Sequence, residues 1–121
     1  MENEVKESAP KYNHVSPDEY LAMERQSEEK HEYHKGKVFA MSGASIKHND
    51  IFHNVYGALV IFLKGKNCKP YGGDLRIHVP SNNFYTYPDI SIICGKPETT
   101  DLFADNVVNP SVIIEILSRS T

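Results

Sequence analysis

Pro88-Asp89-Ile90-Ser91-Ile92-Ile93-Cys94 is the stretch on which the reading of this chain turns. It places a carboxylate at the mouth of a short, β-branched apolar run, and such a run bounded by breakers reads as a buried strand. A second run, Val112-Ile113-Ile114-Glu115-Ile116-Leu117, has the same character and is interrupted by Glu115. Carboxylates in central strands are costly unless paired, protonated or bound to a cation. Two of them in one small domain point to a metal site built on a sheet.

Working outward, residues 1–15 are polar and aperiodic, and read as a flexible tail. Order is expected from Ser16, which can cap a helix with Pro17 in its first position and Glu19 at the capping-box spacing. Tyr20, Leu21 and Met23 would face inward from this helix, which ends near Gln26. His31 to Met41 predicts a hairpin turning at Lys35-Gly36. A longer helix is expected over 47–64, with Ile51, Val55, Leu59 and Leu63 forming one core stripe and Gly65 ending it. Asp74-Leu75-Arg76-Ile77-His78-Val79 alternates as a strand. A turn at 80–83 returns the chain as the strand Phe84 to Cys94. Residues 96–109 form a Pro/Asp/Asn-rich connection, and Ser111 to Leu117 the last strand.

The 121 residues suit one domain with a modest core. A formal charge of −3 gives no global electrostatic case for nucleic acid. No apolar stretch is long enough to span a membrane, and the polar N-terminus has no secretory h-region, so the cytoplasm is the expected compartment. Cys68 and Cys94 then read as reduced, packed thiols. His31 and His34 lack further ligands at a telling spacing, and His48 and His53 do not share a helical face, which excludes a zinc site.

Glu32 beside Gly36, His48-Asn49 at the start of the long helix, Asp74-Leu75-Arg76, Tyr87-Pro88-Asp89, and Glu115-Ile116-Leu117-Ser118 followed by Ser120-Thr121 occur in this order. Together they resemble the bacterial "putative restriction endonuclease" family of the PD-(D/E)XK nuclease superfamily, from about Ser16 to Thr121. That resemblance implies an α/β (α+β) fold, a restriction-endonuclease-like mixed sheet flanked by helices. It implies Mg²⁺ or Mn²⁺ held by Asp89, Glu115 and the Ile116 carbonyl, with Glu32 as an additional acid. The reaction implied is hydrolysis of DNA phosphodiesters. Asp74 and His48 are weaker candidates for the same site, because both also have ordinary readings, as a solvated strand face and a helix cap.

One departure bears on activity. The superfamily motif has lysine two residues after the second acid, and Leu117 stands there. Relatives supply this lysine from a helix after the Ser-Thr pair, so the C-terminal part of the 16–121 domain is expected to be missing and cleavage to be impaired. Lys47 and Lys96 are the nearest substitutes in sequence. The alternative is a non-catalytic relative that keeps the fold as a binding or structural domain. A last strand with no covering helix predicts a homodimer.

Overall fold

The computed structural model of the protein describes residues 10–117. The first helix, α1 (Pro17–Glu24), is fixed at its start as the sequence predicts. Ser16 Oγ accepts from the Glu19 N–H and Glu19 Oε1 accepts from the Ser16 N–H, a reciprocal pair that satisfies two otherwise orphaned donors. The chain then forms the hairpin β1 (His31–His34) and β2 (Lys37–Ala40). Its turn runs through Lys35 and Gly36, both at positive φ (50° and 91°), which glycine adopts without steric cost. Residues 10–15, assigned to the tail by composition, instead run beside this hairpin. Tyr12 bridges to Val38, and the Tyr33 hydroxyl donates to the Val15 carbonyl at 2.6 Å.

The second helix, α2 (Ile46–Leu63), is capped by Ser45, and Gly65 follows it at φ +79°. Its Ile51-Val55-Leu59-Leu63 stripe is only half-buried, and none of its residues is fully buried. Ile46, Ile61 and Phe62 are exposed. The stripe is thus not the core element that the four-residue spacing predicts. Periodicity reports which face is apolar, but not how much protein stands against it.

Six short strands follow: β3 (Cys68–Tyr71), β4 (Arg76–Val79), β5 (Phe84–Thr86), β6 (Ile90–Cys94), β7 (Asn106–Val107) and β8 (Val112–Ile114). They form two sheets with the hairpin. One has the order β2-β1-β5-β4-β7, antiparallel except for the parallel β4–β7 pair; the other is the antiparallel β3-β6-β8. The class is therefore the mixed α+β expected. The single strand read from Phe84 to Cys94 is divided, however. Its first part pairs with β4 in the larger sheet, its second lies central in the smaller one, and Tyr87-Pro88-Asp89 is the crossing between them. Proline cannot donate to a ladder, which suits it to the point where pairing changes hands.

Two clusters form the interior. Tyr20, Leu21, Tyr33, Val38 and Tyr85 join α1 to the larger sheet, with the Tyr20 and Tyr33 rings stacked at 5.0 Å. Ile77, Ile93 and Val107, with Tyr71 and Leu75 against them, join the two sheets. The thiols expected to be free are instead joined: Cys68 and Cys94 are direct cross-strand partners in β3 and β6 and form a disulfide. The reading from sequence lacked β3 altogether, and without it the two cysteines had no reason to be neighbours.

One pair along the same β3–β6 border, the Gly95 N–H donates to the Asn67 carbonyl at 2.8 Å, so that pair is hydrogen-bonded. Antiparallel alternation then turns the backbone of Pro70 away from β6, toward the sheet edge. There it has no N–H to offer, and its carbonyl accepts from the Tyr56 hydroxyl of α2 at 3.3 Å.

Candidate functional site

The crossing between sheets delivers Asp89 to the base of an open cleft. The cleft has a volume of about 670 Å³, and Lys30, His48, Asn49, Phe52, Gly73 and Asp74 also line it. Three hydrogen bonds hold Asp89. His48 Nε2 lies 3.1 Å from Oδ1, the Ile116 N–H donates to Oδ2 at 2.8 Å, and the Asp89 N–H donates to Glu115 Oε1 at 3.2 Å. The two acids singled out from sequence therefore meet, because β6 and β8 are paired with Ile90 opposite Ile114. Each acid stands one residue outside that pair.

Glu115 consequently lies just past β8 rather than within it. Its neighbours Ile113 and Leu117 are 43% and 81% exposed, and β8 is an edge strand rather than a central one. Glu115 keeps a solvent-facing side, yet the atoms packed round its carboxylate strip water from it. That desolvation, opposed by the Asp89 N–H and reinforced by the negative charges of Asp89 and Glu32, pushes Glu115 up to about 7. Glu32 itself, on β1, is pinned by the Thr86 hydroxyl, which donates to its Oε2. Thr86 was not singled out from sequence; it stands immediately before Tyr87-Pro88-Asp89, so the motif's own N-terminal neighbour holds the third acid.

Not every candidate joins this cluster. Asp74 is fully exposed and pairs with Lys30 Nζ at 3.2 Å, at the cleft's rim rather than beside the acid pair. The antiparallel hairpin partner of β4 is β5, whereas Asp89 lies beyond it, past the crossing to the smaller sheet. Arg76, on the face read as solvated, is buried in a polar network. Its Nη1 donates to the Tyr87 hydroxyl at 2.9 Å, its Nε to Asn106, and its Nη2 lies 2.7 Å from Asp105. The Tyr87 hydroxyl in turn donates to the buried Glu24 at 2.8 Å, which also accepts from the His31 N–H at 2.7 Å. Alternation correctly grouped Arg76 with polar residues but could not show that α1 and β7 would close over it. Ser118, Ser120 and Thr121, part of the motif read from sequence, lie outside the described residues.

As a donor set, two carboxylates fit a hard divalent cation better than a soft one. Among the described residues no three His, Cys, Asp or Glu side chains converge as an ion-holding group. Water would therefore make up much of the shell, as it commonly does for Mg²⁺. Leu117, in the lysine position of the motif, brings no charge. Among the described residues no helix is long and apolar enough to cross a membrane.

Comparison with known proteins bears on the fold and the family. Two uncharacterised proteins of Synechocystis sp., slr1290 and sll1609, are each 34% identical to the chain, over 114 and 102 residues. Those alignments take in 94% and 84% of this chain but 58% of each relative, so the chain spans a little over half their length. A crystal structure from Anabaena variabilis, described as a putative nuclease belonging to DUF820, superposes with a TM-score of 0.72 at 23% identity. It covers 88% of this chain and 60% of that one, and shares its fold. The sequence model of the Uma2 family, described as "Putative restriction endonuclease", matches residues 17–121, and the chain belongs to that family.

Proposed function

We propose that this domain is built for metal-dependent hydrolysis of DNA phosphodiesters, with Asp89 and Glu115 as the metal-binding acids and Glu32 as the supporting one. The observation that carries the reading is the meeting of Asp89 and Glu115, the Asp89 N–H lying 3.2 Å from Glu115 Oε1, where desolvation and then repulsion from Asp89 raise Glu115 to about 7. A bound divalent cation relieves such crowding. Mg²⁺ is the ion favoured by the all-oxygen donors, with Mn²⁺ as a substitute; when bound it would act as a Lewis acid and lower the pKa of water.

The chain's own groups do the rest. His48 and the Ile116 N–H fix the Asp89 carboxylate in one orientation, and the Ile116 carbonyl is a further oxygen donor of the same turn. Glu115, whose carboxylate accepts from the Asp89 N–H, would be ionised as a ligand and add the second carboxylate donor beside Asp89. Thr86 holds Glu32 so that its charge adds to the acidic cluster. The same reading makes the protein a homodimer, supported by the exposed Ile61 and Phe62 on α2 and Val112 and Ile113 on β8.

A second reading, a non-catalytic relative that binds without cutting, is favoured by Leu117. Losing one preorganised charge at such a site costs about 3–4 kcal/mol, or roughly 10²–10³ in rate. Nicking of supercoiled plasmid with Mg²⁺ or Mn²⁺ separates the two. Slow, chelator-sensitive nicking that Asp89→Ala abolishes is the expected result. Complete absence of nicking, in a protein that also binds neither ion on equilibrium dialysis, would overturn the enzymatic reading.

A further inference from the structure

The sequence names Lys47 and Lys96 as the nearest substitutes for the missing cation, but the fold brings a different lysine to the cleft. Lys30 precedes β1 and reaches across to the β3–β4 connection, where its Nζ donates to the Gly73 carbonyl at 2.9 Å. The ammonium also sits 5.5 Å from the centre of the Tyr87 ring, a residue two before Asp89. A side chain at Gly73 would put its first carbon 3.8 Å from Lys30 Nζ, 3.7 Å from the Pro88 carbonyl and 3.9 Å from the Asp89 carbonyl. The absent side chain therefore leaves the ammonium and the Asp89 backbone sharing one small space. His48 and Asn49 complete the donor-bearing wall of the same cleft.

From this we infer that Lys30 is the phosphate-contacting cation of the Asp89 cleft, engaging the DNA backbone at the cleft's rim; the inference rests on the nuclease reading. Two features equip Lys30 for that task. The Gly73 carbonyl and the Tyr87 face hold the ammonium in place without neutralising it. Its only ion-pair partner among the described residues, Asp74, is fully exposed, and a surface pair of this kind is weak and easily exchanged for a stronger one with phosphate. Lys30 thus supplies charge to the cleft from the segment before β1 rather than from the position of Leu117.

The test is binding of a fluorescein-labelled 20-base-pair DNA duplex, followed by anisotropy in Ca²⁺ between 50 and 200 mM KCl, with Lys30→Gln, Lys30→Arg, Asp74→Asn and, at the far end of α2, Lys66→Gln. Lys30→Gln is expected to weaken binding about fivefold at low salt and to flatten the log–log salt slope by about 0.9, the loss of one phosphate contact. Lys30→Arg should retain both values, Asp74→Asn should tighten binding, and Lys66→Gln should match the parent. A purely structural role for Lys30 would not change the salt slope. If the parent binds and Lys30→Gln keeps the parental slope, the inference falls while the nuclease reading stands. If the parent binds no DNA at any salt, both fall.

Discussion

Changing pH across neutrality should switch metal affinity at the Asp89–Glu115 pair. A cation needs Glu115 ionised, and with a pKa of about 7 the carboxyl is mostly protonated one unit below neutrality. Proton competition weakens apparent affinity about elevenfold at pH 6 but only about 1.1-fold at pH 8, so the dissociation constant should rise about tenfold between them. Each ion bound should release about 0.9 proton at pH 6 and about 0.1 at pH 8. Calorimetric titration of Mn²⁺ in two buffers of different ionisation enthalpy measures both quantities, and Glu115→Gln should remove the proton release. The metal-free protein carries the complementary signature. A raised carboxyl pKa favours folding at low pH, and that contribution is lost as pH rises from the ordinary carboxylate range through 7. An affinity unchanged between pH 8 and pH 6, or binding without proton release at pH 6, would refute the claim that Glu115 is both crowded and a ligand.

Two further predictions concern the scaffold. Glu24→Ala leaves the His31 N–H, the His31 ring and the Tyr87 hydroxyl without their buried acceptor, and should cost about 3–5 kcal/mol, lowering Tm by about 12–20 °C in thermal denaturation. Gly36→Ala forces a side chain into the φ +91° turn of the first hairpin and should cost about 1–2 kcal/mol, read as a lower urea midpoint with an unchanged slope.

Local chemistry made much of this molecule legible. Ser16-Pro17-Asp18-Glu19 announces a helix start because the reciprocal hydrogen bonds need only residues three apart, and Lys35-Gly36 announces a turn for an equally local reason. The acids at 89 and 115 could be picked out because a carboxylate beside an apolar strand must be accounted for by something. What escaped was everything set by distant partners. The strand β3 has a proline and a lysine among its residues and no alternation to betray it. The two-residue strand β7 exists only because β4 lies beside it. Arg76 reads as a surface residue until Tyr87 arrives from one distant segment and Asp105 and Asn106 from another. Lys30 escaped for the same reason, since nothing in its own neighbourhood of sequence refers to Gly73 or Asp89.

Pro70 has a consequence for how this protein can aggregate or assemble. A sheet recruits another chain through a row of outward-facing donors and acceptors, and β3 presents at its centre a residue that cannot donate and a carbonyl already taken by Tyr56. Recruitment along that border is therefore weakened at its centre, where the proline lacks an N–H under any solvent or concentration. The opposite border of the small sheet, along β8 beside Glu115, is the better able to accept a further strand among the described residues. Intermolecular strand exchange in this sheet would thus favour the border next to the acid pair, and amide protection gained on self-association should appear at Val112–Ile114 rather than at Cys68–Tyr71.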